Sequence, residues 1–251
     1  TCGTNLTWSL SVDGVLTVSG TGAMKDFSYT EDPAPWQERC EEVTSILIED
    51  GVTYLGIMSF PLCTNLTEVQ LPDSLEGLGY SVFNKCKKLA SIIIPEKVTE
   101  IPHHAFYGCN ELESVTFKGK VTIIDYQAFQ DCYALTYITI PDTVETIGKS
   151  AFDQCISLVH VVIPDKVTSI GERAFQYCSA LKSVTFGKSL ETIGEWAFES
   201  CKSLMNIVIP DNVTTIGRVA FQRCYSLETV AIGKNVSQIG EYAFSGDKSI
   251  K

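Results

Sequence analysis

Ala151-Phe152-Asp153-Gln154-Cys155 decides the fold, because the chain repeats its frame every 23 residues. Phenylalanine stands at positions 60, 83, 106, 129, 152, 175, 198, 221 and 244. Cysteine follows three residues later at 63, 86, 109, 132, 155, 178, 201 and 224, and Asp247 takes the ninth place. Alanine precedes the phenylalanine from Ala105 to Ala243, with Ser59 and Val82 in the two earlier copies. A fixed period of this length is the signature of stacked units, each of which contacts only its neighbours. One elongated body is therefore expected.

Working outward, Leu158, Val161 and Ile163 belong to columns that stay apolar in all eight full units. Alternation of apolar and polar positions marks a short strand with one buried face. Pro or Gly follows that strand in seven units, and proline suits a strand end because it cannot donate to a ladder. Val167 to Gly171 forms a second, shorter extended piece. Its closing glycine recurs at 56, 79, 148, 171, 194, 217 and 240, as a turn of positive φ would require. On that reading Pro102, in the same column, forces its rung to turn differently. Glu172 to Cys178 reads as a helical turn with Ala, Phe and Cys facing inward. A lone unit cannot bury enough apolar surface to offset the ordering of its backbone, so the units must stack.

Residues 1–36 do not carry the repeat. Leu6, Trp8, Leu10 and Val12 alternate with polar residues, Asp13-Gly14 interrupts, and Leu16 and Val18 resume, which is a hairpin pattern. This segment reads as an N-terminal β-hairpin cap, with Trp8 and Trp36 as lids over the first rung. Residues 37–251 read as the array. It comprises a divergent first repeat over 37–59, in which Gln37 replaces phenylalanine, eight full repeats over 60–243 and a partial one over 244–251. Ile239, Phe244 and Ile250 then have little to cover them, so further repeats or another domain are expected to follow Lys251.

The formal net charge of −11 lacks the basic stripe that nucleic acid or an anionic membrane surface asks for. No apolar run is long enough to span a bilayer. Ten cysteines first suggest disulfides. Nine of them, Cys40 included, form one column, where parallel side chains point the wrong way to bond although neighbouring rungs are close enough. Reduced core thiols are expected, with disulfides as the alternative. Zinc needs four converging ligands, which a straight ladder does not supply.

The order Leu-x-x-Ile-x-Ile-Pro-x-x-Val-x-x-Ile-Gly-x-x-Ala-Phe-x-x-Cys is that of a leucine-rich repeat. Its length and its Ala-Phe-x-x-Cys ending resemble the BspA-like repeats of bacterial surface proteins. The opening Leu6-Thr-Trp8, Gly20-Thr-Gly22 and Pro33-Ala-Pro-Trp36 resemble caps found in front of such arrays. The resemblance implies a leucine-rich-repeat solenoid, strand-dominated, with one parallel strand per rung and short helical turns. It also implies export to the bacterial cell surface and binding of host or matrix proteins, without cofactor or catalytic residues.

The residues themselves offer no chemistry. His103, His104 and His160 are the only histidines, and no nucleophile has a base and an orienting group near it. Four Asn-x-Ser/Thr sequons, at Asn5, Asn65, Asn212 and Asn235, read as chance in a Thr-rich repeat. A protein-binding module, monomeric and extracellular, is the leading reading; a passive stalk presenting another domain is the rival. The strand columns expected to point outward carry one charge, Glu68. Within them Tyr137 and His160 sit on adjacent rungs, with Val162 and Ile93 as apolar surroundings and Met205 and Asn206 two rungs further on. The turn column with Tyr80, His103, His104, Tyr126, Trp196 and Tyr242 is the alternative surface.

Overall fold

The structure, a computed structural model, describes residues 1–247. The repeated columns close into one core. Every Phe of the 23-residue column from Phe60 to Phe221 is fully buried, and successive rings stack with centroids 5.2–5.7 Å apart. Ring stacking at that spacing adds to the large apolar area that each phenylalanine hides. The column of Cys63 to Cys224 is fully buried beside it. Each thiol from Cys86 to Cys224 donates to the carbonyl of the phenylalanine 26 residues earlier, as Cys155 does to Phe129 at 3.3 Å. Cysteine thus fills a small core space and satisfies a buried acceptor. Burial pushes the Cys155 thiol well above its ordinary range, which leaves it without the thiolate needed for reactivity.

The expected helical turns are not helices. Phe152 N–H donates to the Ala174 carbonyl of the next rung at 2.8 Å, and the same bond recurs along the stack, as from Phe175 to Ala197 at 2.8 Å. A backbone donor spent along the stack is not available to close a helical turn. Two residues per turn instead adopt left-handed φ, such as Arg173 at 58° and Tyr177 at 58°. Among the described residues the one helix is the 3-10 segment Gln37–Glu42.

The glycine column also has a different cause from the one expected. Its members are not at positive φ; the left-handed residues come two positions later. At Gly171 a Cβ would lie 2.6 Å from the carbonyl carbon of Gly148 on the rung below, closer than any real contact. Glycine is there for the approach of two backbones. Pro102 needs no special turn either: Ala105 N–H bonds its carbonyl at 3.1 Å, as Ala174 N–H bonds that of Gly171 at 3.2 Å.

Parallel strands run along two sides of the stack. The shorter ones form one seven-stranded ladder from Glu100–Ile101 to Gln238–Ile239. The first-strand side is broken, where one continuous sheet was expected. Glu68–Gln70 ends one ladder, Ser91–Ile94 and Ser114–Phe117 form a pair, and His160–Val162 to Thr229–Ala231 form another ladder. Residues 137–140 make a single bridge, Tyr137 to His160. Three-residue strands ending at proline offer few N–H donors, so core contacts hold this rung: Ile138 and Ile140 are buried.

At the N-terminal side, strands Leu6–Leu10 and Val15–Gly20 form the antiparallel hairpin, and the second pairs in parallel with Ser45–Ile48. Val12 is not part of the alternation; it lies in the hairpin loop, fully exposed. Trp36, rather than Gln37, continues the phenylalanine column. It is fully buried, stacks on Phe60 at 5.2 Å, and its indole N–H donates to the Ser59 carbonyl at 2.7 Å. Trp8 meets its edge at 5.6 Å. At the far side, Ile239 is half exposed and Phe244 partly buried; Ile250 lies outside the described residues.

One pair of cysteines departs from the expected row of thiols. Cys40 and Cys63 are disulfide-bonded, with Cα atoms 4.5 Å apart. Cys40 is carried on the 3-10 helix rather than on the turn of the later rungs, so the parallel geometry expected of the later rungs does not apply to it. Cys2 and the seven column cysteines from Cys86 onward are free and buried. Thiol counting under denaturing conditions should therefore find eight free thiols and one disulfide. Phe152→Ala should cost about 3–5 kcal/mol in denaturant unfolding through the cavity it leaves, whereas Tyr137→Ala, at a position 62% exposed, should change stability little.

Candidate functional site: an uncharged outward strand face

Strand geometry turns every second side chain away from the core. Both outward columns are exposed on all eight rungs, from Glu68 and Gln70 to Thr229 and Ala231. Tyr137, Val162, Val208 and Ile93 are the prominent apolar groups, 62%, 61%, 68% and 53% exposed. Tyr137 and His160 are neighbours across the isolated bridge. Thr139 Oγ1 donates to the Tyr137 hydroxyl at 2.8 Å, and His160 Nδ1 shares a 2.7 Å hydrogen bond with Ser183 Oγ. Both side chains are therefore held by neighbours on the same face.

Where residues 137–140 fall out of the ladder, a shallow cleft of about 420 Å³ opens between Ser114, Thr116, Phe117, Tyr137, Thr139 and Pro141. A second cleft of about 380 Å³ joins Val162 to Asp142, Asp165, Thr185 and Phe186. Asn206 and Val208 border a third, also about 380 Å³. Asn206 stays on the outward face, accepting from Thr229 Oγ1 at 2.5 Å. Met205 lines a separate cleft with Lys182, Ser203, Tyr225, Ser226 and Glu228. Ile93 sits two rungs before Tyr137. The structure thus brings Tyr137, His160 and Val162 together and leaves Ile93, Asn206 and Met205 progressively apart from them.

The turn side is aromatic but self-engaged. Tyr80 and His103 cover each other's faces at 4.5 Å. His104 packs edge-on to Tyr126 at 5.1 Å and hydrogen-bonds Gln127 Oε1 at 2.6 Å; burial lowers its pKa. Arg173 and Arg218 both lie over the Trp196 ring, at 4.7 and 5.5 Å. Rings that spend their faces on one another have mainly edges left for a ligand.

Reading the columns missed a polar row behind that surface, at the position directly after each phenylalanine. Asp153, Gln176 and Glu199 are buried there. Gln130 Nε2 donates to Asp153 Oδ2 at 3.2 Å, and Gln176 Nε2 to Glu199 Oε2 at 2.5 Å. The signal was available, since polar residues recur beside an invariant core column. Among the described residues no three His, Cys, Asp or Glu side chains are grouped to hold a metal ion, and no helix is long and apolar enough to cross a membrane.

Comparison with known proteins agrees with this architecture. No curated protein matches the chain. Among solved structures it is similar to a leucine-rich repeat protein of T. pallidum, at 27% identity and a TM-score of 0.50, over 88% of this chain and 87% of that one. A leucine-rich repeat protein from Eubacterium ventriosum matches over 100% of this chain and 94% of its own, at 21% identity and a TM-score of 0.47. A leucine rich cell surface protein from Faecalibacterium prausnitzii matches over 98% and 92%, at 24% identity and a TM-score of 0.47. The BspA type leucine rich repeat region matches residues 37–158 and 122–251, in 6 copies. Repeats of this kind are typically non-enzymatic and support protein interaction in general. The period, the stacked core and this match lead to one assignment: the chain belongs to the BspA-type leucine-rich repeat family.

Proposed function

We propose that this chain is a protein-binding module of a bacterial surface or secreted protein, adhesin-like, whose ligand is a host or matrix protein. The observation that carries this reading is the outward strand face. In a chain of net charge −11, its sixteen exposed positions include one charged side chain, Glu68. A long-range charge field would favour solubility and reject most contacts, so a neutral strip suits a partner recognised by shape and apolar contact. Tyrosine is the residue most suited to anchor such a contact, and Tyr137 stands at the break in the ladder beside a cleft. His160 and Val162 extend the patch to the next rung. The family assignment supports the surface reading.

The test compares the wild-type chain with the double substitution Tyr137→Ala, His160→Ala. Host extracellular and matrix proteins are titrated over each immobilised form. A ligand of the wild type should bind the folded double variant at least tenfold more weakly, about 1.4 kcal/mol. Equal affinity would move the site off this face, and the absence of any ligand at micromolar concentrations would favour the stalk reading.

A further inference from the structure

Four carboxyl oxygens are buried without a hydrogen-bond partner among the described residues: Asp131 Oδ1 and Asp153 Oδ1 on adjacent middle rungs, and both oxygens of Asp247. Asp153 is 6% exposed. It follows Phe152, while Asp131 lies two residues after Phe129 on the preceding rung, and Asp131 N–H donates to the Asp153 carbonyl at 3.0 Å. The second Asp153 oxygen accepts from Gln130. The Tyr107 and Tyr133 hydroxyls bond the Asp131 carboxylate. Orphaned buried acceptors are rare in folded proteins and call for an explanation.

The surroundings do not neutralise two charges here. Asp131 and Glu199 face Asp153 with like charge, and among the described residues Arg173 is the one cation acting on it. Arg173 is itself held by Glu172 at 3.1 Å and lies over Trp196. Glu199 has its own partners in Arg223 and Gln176. The remaining groups around Asp153 are the Tyr107 and Tyr133 hydroxyls and the Cys155 and Cys178 thiols. Asp131 also feels Lys85, and the Cys132 thiol lies beside it.

We propose that Asp131 and Asp153 act as a carboxyl pair that holds one proton in the folded chain, and that losing this proton loosens the middle rungs of the solenoid. A proton on Asp153 removes the repulsion between the two groups and turns an orphaned acceptor into a donor. Burial first, and the Asp131 charge second, push Asp153 up to about 7; burial raises Asp131 as well.

The direction of the pH dependence follows. Between its ordinary value of 3.8 and about 7, the folded chain keeps a proton on Asp153 that the unfolded chain has lost. Stability is therefore fully present in acid and falls as pH rises through that window, then levels off. Cation-paired carboxylates such as Asp211, held low by Lys234, act only at more acid pH. His104, kept below its ordinary value by burial, acts in the opposite sense.

Thermal unfolding of the intact chain between pH 5 and pH 7.5 tests the pair. The wild-type midpoint should fall by roughly 5 °C over that range. Asp153→Asn keeps the shape and supplies a permanent donor, so it should reduce the fall to the share left by Asp247, which burial also pushes up to about 7, and leave the midpoint at pH 7.5 no lower than that of the wild type. Asp131→Asn, which deletes the opposing charge, should also flatten the profile and serves if the first variant fails to fold. Carbon-13 titration of the wild-type aspartate carboxyls, assigned residue by residue, gives a reading independent of any variant: Asp153 should titrate near neutrality, separately from Asp247. If Asp131 and Asp153 both titrate below about pH 5, or both variants keep the wild-type slope, the pair does not share a proton.

Discussion

The backbone bond from each phenylalanine N–H to the alanine carbonyl of the next rung is the constraint on which the remaining structure depends. It points along the stack, so the turn cannot coil into a helix and must reverse direction in another way. Two left-handed residues per rung do this, and most of them carry side chains, including β-branched Val219 at φ 61°. Such conformations are unfavourable one at a time. Here each is matched by a bond to the neighbouring rung, as when Val219 N–H meets the Glu241 carbonyl at 2.9 Å.

The same constraint accounts for the absence of insertions. A rung is tied to its neighbours by the phenylalanine bond, by the cysteine thiol reaching a phenylalanine carbonyl 26 residues back, and by stacked rings. One extra residue would shift all three at once. Variation is thereby pushed to positions outside the core, which is where a repeat protein differentiates its surface. Asp153, Gln176 and Glu199 are exceptions, polar groups placed inside and hydrogen-bonded along the stack. They are where the interior is electrostatically uneven.

On the outside, the two long sides differ in what they have left to offer. The turn side engages its own aromatic rings and arginines. The strand side leaves apolar groups exposed and interrupts its ladder at residues 137–140. A binding face on the strand side needs no inserted loop, since shallow clefts form between neighbouring rungs, one of them at the break in the ladder. The two outward columns of this side carry one charge, Glu68, within a strongly acidic chain, which separates them from the remaining surface.

The sequence alone determined the period, the identity of the buried columns and the two outward ones, because side chains alternate along a strand whatever its neighbours do. Phe152, Cys155, Val161 and Ile163 were legible as core, and Tyr137 and Val162 as surface, from spacing alone. Tertiary structure decided what depends on where one rung lies against the next. Glycine was needed at Gly171 for the approach of the Gly148 backbone, which no local pattern reports. Trp36 took the place assigned to Gln37, because a 3-10 helix rather than a turn opens the first rung. That helix also brought Cys40 and Cys63 to bond, while later thiols turned to carbonyls. The clefts beside Tyr137 and Val162, and the orphaned oxygens of Asp131 and Asp153, exist only between rungs. A repeat pattern describes one rung; contacts between rungs are set by distances that the pattern does not contain.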